Sequence, residues 1–102
     1  MSETASLISE NSIITAAKEQ VSSELVGEAV ILNLRSGVYY GLNEVGNRTW
    51  NLIQKPKTVK GIKNTLLEEY EVEPESCEHD LLVLLQDLEA AGLIEVRNEI
   101  SA

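Results

Sequence analysis

The chain has 102 residues and 43% of them are apolar, which suits one domain with a single modest core. It contains one cysteine, which excludes an intramolecular disulfide, and no apolar run approaches the roughly 18 residues that a membrane span needs. The formal net charge of -9, and an N-terminus without the pattern of a signal peptide, predict a soluble cytoplasmic protein that binds neither membrane nor nucleic acid.

Three strands are predicted in the first half of the chain. A short, weak candidate spans residues 13–17 and a stronger one spans residues 25–34, where apolar and polar side chains alternate. A tight turn with Gly37 at a positive φ then leads into a third strand at residues 38–42. The simplest arrangement is an antiparallel meander with the third strand at one edge. The alternating set of the second strand is Val30, Leu32 and Leu34 on one face, with Asn33 on the other.

Three helices are predicted in the second half from cap residues and helical spacing. Asn43 is a good N-cap for a helix running to about Gln54, and Thr58 caps the second helix. Pro74 opens the third at its first helical position, and Gly92 ends it in the left-handed conformation. The first helix is expected to bury Val45, Thr49, Trp50, Leu52 and Ile53. The apolar positions of the second helix are Val59, Ile62, Leu66, Leu67 and Tyr70, and the apolar stripe of the third is Leu81, Leu84, Leu85 and Leu88.

These elements predict an α+β, winged-helix-like fold, with a three-stranded antiparallel β-meander followed by three α-helices. Residues 93–96 form a possible closing extended segment. We expect residues 12–96 to form one domain, flanked by a flexible N-terminus at 1–11 and a flexible C-terminus at 97–102.

Little in the sequence points to catalysis. Cys77 and His79 lie two residues apart on a predicted helix and so point in nearly opposite directions, whereas zinc needs about four convergent ligands. The glycines lack the spacing of a phosphate-binding loop, and no base accompanies a nucleophile. We therefore predict no catalytic residue, no metal site, no cofactor and no enzymatic activity.

Acidic residues concentrate in one stretch, from Glu68 to Glu89, which contains no Lys or Arg. One interpretation is a solvated helix face that aids solubility, and the other is attraction of a basic peptide. The acidic residues are Glu68, Glu69, Glu71, Glu73, Glu75, Glu78, Asp80, Asp87 and Glu89.

The third strand, residues 38–42, has the properties of a binding edge. Natural proteins usually protect an exposed strand edge with charge or proline, and this strand has neither, so it is suited to accept another strand. Tyr39 and Tyr40 point to opposite faces, which places them either in ligand contact or in core and rim packing. Leu82 and Val83 widen the apolar surface of the third helix, which indicates either a neighbouring helix or the lining of a ligand groove.

Two segments carry a resemblance to a known family. Residues 37–50, Gly-Val-Tyr-Tyr-Gly-Leu-Asn-Glu-Val-Gly-Asn-Arg-Thr-Trp, resemble the central signature of PqqD-like proteins, the recognition elements for precursors of ribosomally synthesised and post-translationally modified peptides (RiPPs). Residues 80–88, followed by Gly-Leu-Ile at 92–94, resemble the closing motif of that family. The resemblance spans about residues 12–96, with one departure at Thr49, where a bulkier aliphatic residue is more usual.

The resemblance implies a non-catalytic protein that binds a precursor's leader peptide as an added β-strand and packs it against the third helix. The implied partners are the leader peptide and a modifying enzyme, either the leader peptidase of a lasso-peptide pathway, which we favour, or a radical SAM enzyme. The oligomeric state is expected to be a monomer or a weak homodimer. The residues implied to bind the peptide are Val38, Tyr39, Tyr40, Gly41, Leu42, Asp80, Leu81, Val83, Leu84 and Asp87.

Two alternatives belong to other functional classes. A winged-helix DNA-binding regulator would share the coarse fold, but its recognition helix needs basic or amide side chains, and the third helix offers one Gln and no Lys or Arg. A structural subunit could use the same strand edge to dimerise.

Overall fold

The computed structural model describes residues 8–18, 20–25, 28–37 and 39–98, and it has an α+β architecture of two small sheets and three helices. The strands are β1 Ile13–Ala16, β2 Gln20–Leu25, β3 Glu28–Asn33, β4 Tyr39–Leu42, β5 Lys57–Thr58 and β6 Ile94–Arg97. The helices are α1 Glu44–Leu52, α2 Val59–Glu69 and α3 Pro74–Ala90. The predicted fold class is confirmed: an antiparallel β-meander precedes three helices.

The meander consists of β2, β3 and β4 in that order, so its first strand differs from the one predicted. The predicted strand 25–34 is divided: Leu25 ends β2 and pairs with Glu28 at the start of β3. The predicted first strand, β1, lies in a separate sheet, between β5 and β6. There Ile14 faces Val96 of β6 and Lys57 of β5. The predicted closing segment is thus a true strand, and it pairs with the first.

The buried face of β3 is opposite to the predicted one. Ile31 and Asn33 are buried, whereas Leu34 lies in the following turn and is 57% exposed. Burial of Asn33 is possible because its side chain is fully hydrogen-bonded. Its Nδ2 donates to the carbonyl oxygens of Ala91, at 2.8 Å, and Gly92, at 3.3 Å. Its Oδ1 accepts from the backbone N–H groups of residues 35 and 36, which form the turn.

The helix boundaries follow the predicted local signals. The Asn43 side chain accepts a hydrogen bond from Gly46 N, and the Thr58 side chain accepts one from Gly61 N. Pro74 lies in the first turn of α3, and Gly92 has a φ of 73° just beyond its end. The expectation that Val45 is buried is wrong, because it lines a cavity and is 38% exposed.

One apolar core joins the helices to both sheets. Trp50 of α1, Ile62 of α2 and Leu85 of α3 are buried together with Ile14 of β1 and Ile31 of β3. Ile8 packs against this core and Ser12 is buried, with Ser9 N bonded to the side chain of Ser12. Residues 1–7 and 99–102 lie outside the described chain. In the described part, no helix is both long and apolar enough to cross a membrane.

Candidate functional site

The central feature of the candidate site is the open edge of β4. Within the described residues this strand pairs with β3 alone, with Tyr40 opposite Ile31 and Leu42 opposite Ala29. Its other edge carries no strand, so backbone N–H and C=O groups on that side are available for pairing. Val38, which was predicted to begin this strand, lies outside the described residues.

The two tyrosines of β4 lie on opposite faces of the sheet, as the alternation of a strand requires. Tyr39 is 68% exposed on the outer face. Tyr40 faces α3, where its hydroxyl donates a hydrogen bond of 3.3 Å to Oδ2 of Asp87. Partial burial, followed by the charge of Asp87 and this hydrogen bond, raises the pKa of the Tyr40 phenol above its usual value.

A cavity of about 350 Å³ opens between β4 and the N-terminal half of α3. Its lining is largely apolar, and α1 and α2 contribute to it together with β4 and α3. The lining residues are Tyr40, Gly41, Leu42, Asn43, Val45, Gly46, Thr49, Leu66, Tyr70, Val72, Ser76, Cys77, Asp80, Leu81 and Leu84. The volume and apolar lining are those of a site that takes one or two side chains of a larger ligand.

The structure places the candidate helix residues on different sides of α3. Asp80, Leu81 and Leu84 line the cavity, and Asp87 follows them toward Tyr40. Val83 is 43% exposed and is not part of the cavity wall. Leu82 lies on the opposite flank, where it lines a second cavity with the N-terminal segment. The flank of α3 that faces β4 is therefore the one carrying Asp80 and Leu84.

Several lining residues were missed at the level of sequence, because α1 and α2 were predicted to supply core packing only. Thr49 of α1 and Leu66 of α2 are buried, yet both border the cavity. Tyr70, at the end of α2, completes the wall. An apolar stripe does not distinguish a residue that packs against a neighbour from one that packs against a void, so no sequence signal marked these positions.

The charged side chains around the cavity are either acidic or paired with a group of opposite charge. Among the described residues, none that lines the cavity is Lys or Arg. The nearby guanidinium of Arg48 makes two hydrogen bonds of 2.8 Å to the carboxylate of Glu69. Asp80, at the cavity wall, makes no hydrogen bond or ion pair with another described residue. The free charge at the cavity is therefore negative.

Cys77 and His79 have different environments, in agreement with their expected divergence. Cys77 is buried and lines the cavity, whereas His79 is exposed. Burial raises the pKa of the Cys77 thiol, with smaller opposing and reinforcing effects from Lys63, Asp80 and Glu78. The thiol is therefore protonated at neutral pH. In the described ranges, no group of three or more His, Cys, Asp or Glu side chains is placed to hold a metal ion.

Comparison with known proteins gives one family and two solved structures. The model of the family described as Coenzyme PQQ synthesis protein D (PqqD) matches residues 28–94. TbiB1, solved in complex with the TbiA(beta) leader peptide, is 32% identical with a TM-score of 0.74, over 83% of this chain and 99% of that chain.

A lasso peptide synthetase B1, complexed with the leader peptide, is 24% identical with a TM-score of 0.71, over 80% of this chain and 96% of that chain. At this identity the likeness shows the fold alone. No curated protein matches the chain significantly.

Proposed function

Because the chain belongs to the PqqD family, whose model it matches over residues 28–94, we propose that it binds the leader peptide of a RiPP precursor. The leader adds to the open edge of β4 as a further strand and places side chains against α3. The observation that carries this proposal is the combination of an unpaired strand edge and an apolar cavity directly beside it. TbiB1, which is 32% identical, was solved with a leader peptide bound.

Backbone pairing alone is too weak to account for useful affinity. One edge of a four-residue strand presents about four outward backbone groups. At about 1 kcal/mol each these contribute about 4 kcal/mol, which corresponds to a dissociation constant of about 1 mM. Two apolar side chains buried at about 2 kcal/mol each bring the gross figure into the micromolar range, before the cost of ordering the peptide. The cavity therefore determines affinity.

The role that follows is delivery rather than catalysis. A bound leader keeps the attached core peptide close to an enzyme held by the same adaptor, at an effective concentration that reaches about 1 mM for a short connection. In the form of the proposal that we favour, this enzyme is a leader peptidase of lasso-peptide biosynthesis. In the alternative form, it is a radical SAM enzyme. The likeness to TbiB1, which is 32% identical and was solved with a leader peptide, supports leader binding in either form.

A matched pair of substitutions on α3 tests the proposed site. Leu84 and Leu82 are both half-buried, but Leu84 lines the cavity beside β4 and Leu82 lies on the opposite flank. We expect Leu84→Ala to weaken binding of a fluorescein-labelled leader about tenfold in an anisotropy titration, because part of an apolar anchor contact is lost. Leu82→Ala should leave the affinity unchanged.

The probes are the TbiA(beta) leader and the leader of any RiPP precursor found encoded next to this protein's gene. Circular dichroism of both variants checks that the fold is retained. Equal affinities for the two variants with a leader that binds the unmodified protein would place the peptide elsewhere. An unmodified protein that binds neither leader would contradict the proposed function itself.

A further inference from the structure

The open edge of β4, α3 and the cavity between them form the proposed peptide-binding groove. Two carboxylates lie on its α3 side. Asp80 and Asp87 are seven residues apart, which is two helical turns, so they share one face of α3 about 10 Å apart. Both residues are exposed, and Leu84 lies between them on the cavity wall. The face of α3 that a guest strand meets therefore has the order acidic, apolar, acidic.

The described residues of the groove supply no positive charge. The described part of the lining includes no basic residue, and the charge of Arg48 near Tyr70 is balanced by its two hydrogen bonds to the carboxylate of Glu69. Asp80 has no ionic partner among the described residues, and Asp87 has only the neutral hydroxyl of Tyr40. A guest cation would meet two carboxylates without displacing an existing ion pair.

The start of β4 lies beside the end of α3, and the end of β4 lies toward the start of α3. Tyr40, near the start of β4, contacts Asp87 toward the end of α3. Leu42, at the end of β4, lines the cavity together with Asp80 toward the start of the helix. A guest residue beside Tyr40 therefore lies at the level of Asp87, and guest residues beyond it approach Leu84 and then Asp80.

Only every second residue of a guest strand points toward α3, because side chains alternate. The first and third of three such residues are four positions apart in the strand, which is about 13 Å. The two carboxylates of α3 are about 10 Å apart. The long, flexible stems of Lys and Arg bridge a difference of this size.

We propose that the peptide bound in this groove carries the pattern basic–x–apolar–x–basic, with its basic side chains at Asp80 and Asp87 and its apolar side chain in the cavity at Leu84. The pattern reads the same in both directions, so it does not depend on whether the guest strand runs parallel or antiparallel to β4. This inference rests on the proposed function and specifies the chemistry of the peptide that the groove selects.

Selection from a random 12-residue peptide library by mRNA display tests the pattern without knowledge of the precursor. The immobilised full chain should enrich Lys or Arg at two positions four apart, with an apolar residue midway. Each of Asp80→Asn and Asp87→Asn should weaken an enriched peptide about threefold, and the two together about tenfold. Raising the salt concentration should reduce these differences.

Charge reversal provides the matched comparison. The double variant Asp80→Lys, Asp87→Lys should enrich Asp or Glu at the same two positions. Glu68 and Glu95 are exposed and lie outside the cavity lining, so Glu68→Lys, Glu95→Lys makes the same change in net charge away from the groove. This control should still enrich basic peptides.

The outcomes separate the pattern from the underlying function. Enrichment without a charge preference, or the same reversal in the control, would overturn the pattern while leaving peptide binding intact. Peptides that bind equally well to the Leu84→Ala variant, or a library with no enriched member, would overturn the groove as a binding site and the pattern with it.

Discussion

Replacing Gly92 with alanine perturbs the contact that holds the end of α3 against β3. Gly92 has a φ of 73°, and a β-carbon at this position would lie 2.8 Å from Nδ2 of Asn33. Asn33 is 7% exposed and cannot easily move away, because its Nδ2 donates to Ala91 O and its Oδ1 accepts from Arg35 N. The substitution therefore combines backbone strain with the loss of a buried hydrogen-bond network.

The expected cost follows from these two effects. Left-handed conformation costs an alanine about 1–2 kcal/mol, and losing the two hydrogen bonds from Asn33 Nδ2 costs about 2 kcal/mol. The smaller entropy of the unfolded chain offsets about 0.5 kcal/mol. We expect Gly92→Ala to lower the free energy of unfolding by about 3 kcal/mol. Gly37→Ala is the matched control, since φ is 75° and nothing lies within 4 Å of the added carbon, and it should cost about 1 kcal/mol.

Urea unfolding followed by tryptophan fluorescence measures both variants, because Trp50 is the only tryptophan and is 2% exposed. In an Asn33→Ala background the clash is absent, so Gly92→Ala should cost about as much as the Gly37 control. Equal costs for Gly92→Ala and Gly37→Ala in the unmodified protein would refute the role assigned to Asn33.

Two further predictions concern groups at the groove. Cys77 should react slowly with a thiol reagent at neutral pH, because burial raises its pKa, and a bound peptide should slow the reaction further; an unchanged rate at saturating peptide would exclude the cavity as the binding site. The folded protein raises the pKa of Tyr40 above the 10.0 that is usual for tyrosine. The protonated phenol therefore stabilises the folded state fully below pH 10.0, and this stabilisation is lost as the pH rises through the higher folded-state pKa. Tyr40→Phe should remove this alkaline loss in urea unfolding measured from about pH 9 upward, and identical pH profiles for the two proteins would contradict a raised pKa of Tyr40 in the folded state.

Local signals were sufficient to predict the helices and the open strand edge. Asn43, Thr58 and Pro74 mark helix starts through chemistry that involves only nearby residues, and Gly92 marks an end in the same way. The β4 edge was predicted because it lacks charge and proline, and the structure leaves it unpaired on one side within the described chain.

The remaining features depend on contacts distant in sequence. The polar strand Gln20–Leu25 was missed because Ser22 and Ser23 give it little strand character. The burial of Asn33 depends on carbonyl groups 58 and 59 residues further along the chain, which no local pattern reveals. The flank of α3 that forms the groove likewise depends on how the helix packs. The opposite flank of α3 does not face β4, because Leu82 on that flank lines the second cavity together with Ile8 and Val59.

Backbone N-methylation of a bound leader peptide, one residue at a time, tests the central claim most directly. A guest strand beside β4 bonds to it through the N–H groups of alternate residues only. Over the paired stretch, methylation at every second position should therefore reduce affinity at least tenfold, and methylation at the positions between them should have little effect. A bound peptide that tolerates methylation at all positions would contradict strand addition at the edge of β4.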